Sequence, residues 1–81
     1  MDWSTYDDIW IDADRVGGAP CFTGTRLPID AVLTNFRSYV EEGFTQHTAA
    51  IIVSELFPSA TPERILRLID FLEQGKLPKA A

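Results

Sequence analysis

The side chains able to carry out acid–base, nucleophilic or metal chemistry are few and scattered in this 81-residue sequence. His47 is the single histidine and Cys21 the single cysteine, too few ligands for a zinc site. Asp7 and Asp8 are adjacent, so in an extended segment their carboxylates point to opposite sides and make a poor acid–base pair. The sequence therefore predicts a protein that is not an enzyme and that uses no metal or other cofactor.

Cysteine use and hydropathy indicate the compartment. Cys21 has no partner for an intrachain disulfide, which fits a reducing compartment, and we expect it to be a small core side chain. The longest apolar run, residues 49–53, is too short to cross a bilayer, and the acidic N-terminus is not typical of a signal peptide. These features predict a cytoplasmic protein with no membrane contact.

If the protein binds nucleic acid, the residues at the start of the third predicted helix are expected to make the contact. In a helix-turn-helix, the first polar residues of the second helix reach base edges, and these are Thr61, Glu63, Arg64 and Arg67. Arg67 has carboxylates within one helical turn on both sides, at Glu63 and Asp70, whereas Arg64 is expected to be freer. The sequence lacks the basic patch of a dedicated DNA binder, so charge alone favours a helix that only packs.

The net charge of −5 is concentrated at the N-terminus. Five acids and no base precede Arg15, and from Arg15 onward seven acids balance seven bases. An acidic arm repels nucleic acid and attracts a basic partner, and aromatic side chains are typical of interface anchors. We therefore predict a partner-binding segment made of Trp3, Tyr6, Asp7 and Asp8, although a solubilising tail is the plainer interpretation and the two aromatics fit a core role equally well.

A short hairpin and a first helix must position these residues. Strand-like runs at residues 9–12 and 20–23 predict the hairpin, and we expect Trp10 to cover the core. Apolar residues then repeat with helical spacing over residues 28–42, and Gly43 suits the C-terminal stop.

Two further helices complete the predicted fold. Thr45 or Thr48 caps the second helix, Pro58 ends it, and Thr61 caps the third helix, which is expected to end before Gly75. The result is a mainly α fold, a three-helix homeodomain-like or winged-helix-like core that contains a helix-turn-helix and follows a short N-terminal β-hairpin. Residues 9–75 form the domain, residues 1–8 the acidic aromatic arm and residues 76–81 a tail.

The third helix carries an apolar arc wider than half its circumference. A three-helix domain rarely buries so wide a face, so the arc predicts contact outside the monomer, and we expect a homodimer. The arc consists of Ile65, Leu66, Leu68, Ile69, Phe71 and Leu72.

The glycine- and proline-rich run before the first helix resembles the signature of the domain of unknown function 433 family. That signature is Gly-x-Pro, an apolar pair, then Gly-Thr-Arg-apolar-Pro-apolar before a helix. Residues 57–65 are similar to a second signature, and the resemblance covers about residues 9–72. For the turn we expect a structural role, with Gly24 making the bend and Thr25 and Arg26 bonding to backbone carbonyls or a carboxylate. The signature residues are Gly18, Pro20, Gly24, Thr25, Arg26 and Pro28.

The resemblance implies a function as well as a fold. Members of the family look like antitoxins, often encoded beside a toxin with a PIN-like ribonuclease fold. The implied function is the antitoxin of a type II toxin-antitoxin system, which neutralises its cognate toxin and represses its own operon. Thr61, Arg64 and Arg67 would then be the DNA-binding residues. Two alternatives stay open: a DNA-binding transcriptional regulator without a toxin, and a dimeric protein-interaction module.

Overall fold

The structure, a computed structural model, describes residues 6–11 and 18–76. Its elements follow in the order β1 (Ile9–Trp10), β2 (Cys21–Phe22), α1 (Ile29–Glu41), α2 (Gln46–Leu56) and α3 (Pro62–Lys76). The predicted mainly α fold, with three helices and a short antiparallel hairpin in front of them, is confirmed.

The hairpin is smaller than the sequence predicts. β1 and β2 pair antiparallel over two residues each, with Ile9 opposite Phe22 and Trp10 opposite Cys21. A two-stranded ribbon of this length is not stable in water by itself. Phe22 is fully buried in the helical core, so packing onto the helices holds the hairpin in place.

The first helix is bounded by backbone geometry. Pro28 precedes it in an extended conformation, and the amide of Ile29 donates to the carbonyl oxygen of Pro20 at 3.0 Å, so the preceding segment satisfies one of the free amides at the helix start. At the other end Gly43 has a φ of +108°, a conformation that side chains with a Cβ disfavour. The predicted stop at Gly43 is confirmed.

Hydroxyl caps start the other two helices. Thr45 Oγ1 accepts from the amide of Thr48 at 3.2 Å, and Thr61 Oγ1 accepts from the amide of Arg64 at 3.2 Å. Thr45 is therefore the cap of α2. The expected end of α3 before Gly75 is wrong, because the helix continues to Lys76. A single glycine inside a helix costs only about 1 kcal/mol and does not by itself end one.

The core lies between the three helices and the hairpin, with α2 packed against both α1 and α3. Most of the broad apolar arc of α3 is buried within this one chain, and the ring centroid of Tyr6 lies 4.6 Å from that of Phe71. Leu66 and Phe71 in this arc are only partly buried, so contact of the arc with another subunit stays a prediction. The largest fully buried side chains are Phe22, Ile29, Val32, Val53, Ile65 and Leu68.

Large apolar side chains are exposed elsewhere. Among the described residues they are Ile11, Val40, Phe44, Ile51 and Leu56, all outside α3. No helix in the described part of the chain is both long enough and apolar enough to span a membrane.

Two leucines on neighbouring helices test this assignment of the core. Leu68 is fully buried and Leu56 is 53% exposed. Leu68→Ala should lower the free energy of unfolding by about 2–5 kcal/mol, because it leaves a cavity. Leu56→Ala is the matched control and should change the free energy by no more than about 0.5 kcal/mol. Urea unfolding followed by circular dichroism measures both, and similar losses would contradict this placement of α3.

Candidate interaction site at the start of the third helix

The signature turn is built from Phe22, Thr23, Gly24 and Thr25. The carbonyl oxygen of Phe22 accepts from the amide of Thr25 at 3.0 Å and from its hydroxyl at 2.7 Å. Gly24 occupies the third position with a φ of +80°, as a tight turn of this kind requires. The hydroxyl of Thr25 also accepts from the amide of Leu27 at 3.1 Å. The expected structural roles of Gly24 and Thr25 are therefore seen in the structure.

Other signature residues join this turn to its neighbours. Pro28 bridges to Cys21 across the base of the loop, and Gly18 has a φ of +81°. The indole nitrogen of Trp10 donates to the carbonyl oxygen of Thr25 at 2.8 Å, so Trp10 is half-buried over the turn. Arg26 is exposed, and its guanidinium has no carbonyl or carboxylate partner among residues 6–11 and 18–74. The role expected for Arg26 is not seen there.

Arg64 holds three separate segments together. Its Nε lies 3.1 Å from Asp8 Oδ2, while Nη1 and Nη2 each donate at 3.0 Å, to the carbonyl oxygens of Ser59 and Thr23. Its Cζ lies 5.5 Å from the centre of the Phe22 ring. One guanidinium thus joins the N-terminal segment, the signature turn and the turn between α2 and α3. The expectation that Arg64 is the freer arginine is wrong.

Arg67 is paired more loosely. Its Nη2 lies 3.2 Å from Asp7 Oδ1, and the two side chains are 59% and 84% exposed. The spacing along α3 had suggested Glu63 and Asp70 as partners, but Asp70 instead accepts from Gln74 Nε2 at 2.9 Å. An exposed pair of this kind contributes about 0–1 kcal/mol to stability.

The backbone fixes where these carboxylates lie. The amide of Thr23 donates to the carbonyl oxygen of Asp8 at 2.9 Å, which extends the pairing of the hairpin by one step. We call the set of Tyr6, Asp7, Asp8, Arg64 and Arg67 the N-terminal clasp. In the clasp, Asp7 and Asp8, which the sequence predicts to bind a partner, contact Arg67 and Arg64, which it predicts to bind DNA.

The remaining predicted site residues are placed as follows. Tyr6 is 8% exposed, so it takes the core role rather than that of a surface anchor. Trp3 lies outside the described residues. The cap Thr61 and the first-turn residue Glu63 of α3 are both exposed. The sequence reasoning missed the carbonyl oxygens of Ser59 and Thr23, which no side-chain pattern could reveal.

Titratable groups outside the clasp offer little chemistry. Cys21 is buried, and burial raises the pKa of its thiol, so it stays protonated at neutral pH as a core side chain. His47 is exposed at the start of α2. Within the described ranges no group of three His, Cys, Asp or Glu side chains could hold a metal ion.

A shallow apolar groove of about 220 Å³ lies at the opposite end of α3. Its floor is formed by Phe36, Ile69 and Leu72, and its rim includes Gln46, which donates to Glu73 Oε2 at 2.8 Å. Arg37 and Glu41 also line the groove, and none of the predicted site residues that the structure describes lies in it.

The two arginines should differ in their effect on stability. Arg64→Ala should lower the free energy of unfolding by about 2 kcal/mol, because two charged hydrogen bonds are lost and the largely buried carboxylate of Asp8 is left without its cation. Arg67→Ala should cost less than about 1 kcal/mol, since its pair is exposed. Arg64→Lys should fall between them, because an ammonium cannot reproduce the planar fork. Urea unfolding measures all three, and equal losses for Arg64→Ala and Arg67→Ala would contradict the clasp.

Tyr6 should make stability depend on pH in the alkaline range. Burial raises the pKa of its hydroxyl above the ordinary value of 10.0, with Asp8 and Asp7 adding to the increase and Arg67 and Arg64 opposing it. Below about pH 10 the hydroxyl is protonated in both folded and unfolded chains; above it the unfolded chain loses the proton first, so stability falls.

Tyr6→Phe removes the titrating hydroxyl and keeps the ring. Between pH 8 and pH 11 the free energy of unfolding should fall more for the natural chain than for this variant, while the titration of Cys21 is common to both. Equal falls would show that Tyr6 is not buried as the structure describes.

Comparison with known proteins agrees with the signature. No curated protein and no solved structure matches the chain. Residues 9–43 match the model of a family described as a protein of unknown function, DUF433. The matched residues include the hairpin, the signature turn and α1, while α2 and α3 lie beyond them. The part of the chain that carries the Gly-Thr-Arg signature therefore matches the DUF433 family, as the sequence predicts.

Proposed function

We propose that this chain is the antitoxin of a type II toxin-antitoxin system, and that it neutralises a basic toxin of the PIN-like ribonuclease kind. The observation that carries the proposal is the N-terminal clasp. Arg64 and Arg67, the cations at the start of α3, already face the carboxylates of Asp8 and Asp7. A basic protein therefore suits this face better than a nucleic acid does.

Charge complementarity supports a basic partner. The chain has a net charge of −5, and the side chain of Asp7 is 84% exposed beside a cation that holds it only weakly. A protein that acts on RNA presents a basic surface to its substrate, because it must neutralise phosphates. An acidic segment docked there would compete with the RNA for the same cations.

Exposed apolar side chains support a protein contact. Ile11, 56% exposed, lies four residues after Asp7 in the N-terminal segment. Ile51 and Leu56, 40% and 53% exposed, lie along α2. Protein interfaces have an apolar centre inside a polar rim, and exposed apolar side chains of this kind suit such a centre.

Operator binding is the second candidate, and it rests on the connection between α2 and α3. The two helices are joined by residues 57–61, the short connection of a helix-turn-helix, and the cap Thr61 and the first-turn residue Glu63 are both exposed. Repression of the chain's own operon would use this face, in a homodimer whose twofold axis matches the operator. Affinity for operator DNA should then fall steeply with salt.

Toxin neutralisation can be tested by recovery and rescue. The tagged chain, purified from the organism that encodes it, should carry a small basic protein in near-equal amount, identified by mass spectrometry. Expressed alone, that protein should arrest growth, and co-expression of this chain should restore it. Asp7→Asn should weaken recovery of the partner, because it removes an exposed charge without disturbing the core.

Glu41→Gln is the matched control, since Glu41 is exposed and lines the groove at the other end of α3. It removes the same charge and should leave recovery unchanged. A chain that purifies alone, and that rescues growth from no neighbouring gene product, would contradict the antitoxin function. A shift of the upstream promoter DNA in that case would favour the regulator without a toxin.

A further inference from the structure

We propose that the N-terminal clasp is an autoinhibitory contact, in which Asp7 keeps Arg67 from nucleic-acid phosphates until a basic partner takes Asp7. The regulatory part of this inference rests on the proposed function, because it assigns the acidic segment to that partner. The contact itself is a property of the chain alone.

The clasp has an inner and an outer part that differ in accessibility. In the inner part, Arg64 and Asp8 are 29% and 13% exposed, and Arg64 also bonds to two backbone carbonyls. In the outer part, Arg67 and Asp7 are 59% and 84% exposed and make a single contact at 3.2 Å. Only the outer part can exchange partners without disturbing the fold.

Opening the outer part requires one side chain to move. Tyr6 anchors the segment in the core, and the hydrogen bond from the amide of Thr23 to Asp8 holds its backbone. Asp7 lies between these two fixed points, so its carboxylate can turn to a cation of a partner while the segment stays in place. Arg67 is then left on the exposed face of α3 with its guanidinium available.

The charges explain why Asp7 inhibits. Among the described residues at the start of α3, the carboxylates of Asp7, Asp8 and Glu63 outnumber the guanidiniums of Arg64 and Arg67. A phosphate approaching this face meets no net positive charge and is repelled. When a partner neutralises Asp7, the face becomes balanced and Arg67 can contact a phosphate. Binding of the partner and of DNA is therefore coupled, and by linkage each strengthens the other.

The experiment uses the purified full chain and non-specific duplex DNA, with no toxin present. At low salt Asp7→Asn should bind the DNA roughly 3- to 10-fold more tightly than the natural chain. Its affinity should also fall more steeply as the salt concentration rises, with a slope that corresponds to about one additional phosphate contact. Arg67→Gln added to Asp7→Asn should abolish the gain. Fluorescence anisotropy of labelled DNA at several salt concentrations measures both quantities.

Glu41→Gln controls for net charge. Glu41 is the last residue of α1 and lines the groove beside the far end of α3, so the variant removes one negative charge away from the clasp. An equal gain from Glu41→Gln, a gain that survives Arg67→Gln, or no DNA binding by Asp7→Asn would each overturn the inference. Protection of the buried Cys21 thiol from a soluble thiol reagent confirms that each variant is folded.

Failure here is distinguishable from failure of the antitoxin function. If Asp7→Asn gains no DNA affinity while the chain still rescues growth from its toxin, autoinhibition is wrong and the antitoxin function stands. If the gain is seen but no toxin exists, the contact masks Arg67 in a DNA-binding regulator.

Discussion

The position of the hairpin and of the N-terminal segment on the helices depends on the guanidinium of Arg64 and on the buried Phe22 ring beside it. The hairpin has only two residues in each strand, too few for its own hydrogen bonds to hold it. Arg64 supplies what is missing, because its Nη1 and Nη2 donate to Ser59 and Thr23 while its Nε forms an ion pair with Asp8 on a third segment. The Phe22 ring lies close to the same cation and is fully buried, so apolar packing and the charged contact act at one point.

The signature turn provides the geometry that Arg64 needs. A Cβ on Gly24 would meet no atom within 4 Å, so what excludes other residues there is the φ of +80° rather than crowding. Thr25 fixes the turn through two hydrogen bonds of its hydroxyl, and this holds the carbonyl oxygen of Thr23 where Arg64 can reach it. The Gly-Thr part of the signature therefore preserves a backbone path. Arg26 is exposed, and the described residues do not explain its presence in the signature.

The parts of the fold that depend on local sequence could be predicted, and the site could not. Helical spacing and the caps at Thr45 and Thr61 involve residues three or four positions apart, so the sequence reveals them directly. Arg64 and Asp8 come together only after the chain has folded, and local spacing suggested the wrong partners for Arg67. A carboxylate held by a paired backbone needs little further ordering to form a contact, whereas a helix neighbour such as Glu63 must fix a flexible side chain. The contact of Tyr6 with Phe71 in the apolar arc of α3 likewise joins residues that are far apart in the sequence.

A helix-turn-helix supports several functions, and the charges on its second helix decide among them. The two arginines that would contact DNA differ in how freely they can move. Arg64 cannot leave its contacts without loosening the hairpin, whereas Arg67 can leave its exposed ion pair without disturbing the fold. DNA binding by this chain would therefore depend on Arg67 and on hydroxyl or backbone contacts near Thr61, a small set for a specific site. Under the proposed function, the exposed carboxylate of Asp7 would act both on that set and on a basic partner. A single surface ion pair would then link the two proposed kinds of partner, although such a pair contributes only about 0–1 kcal/mol to stability.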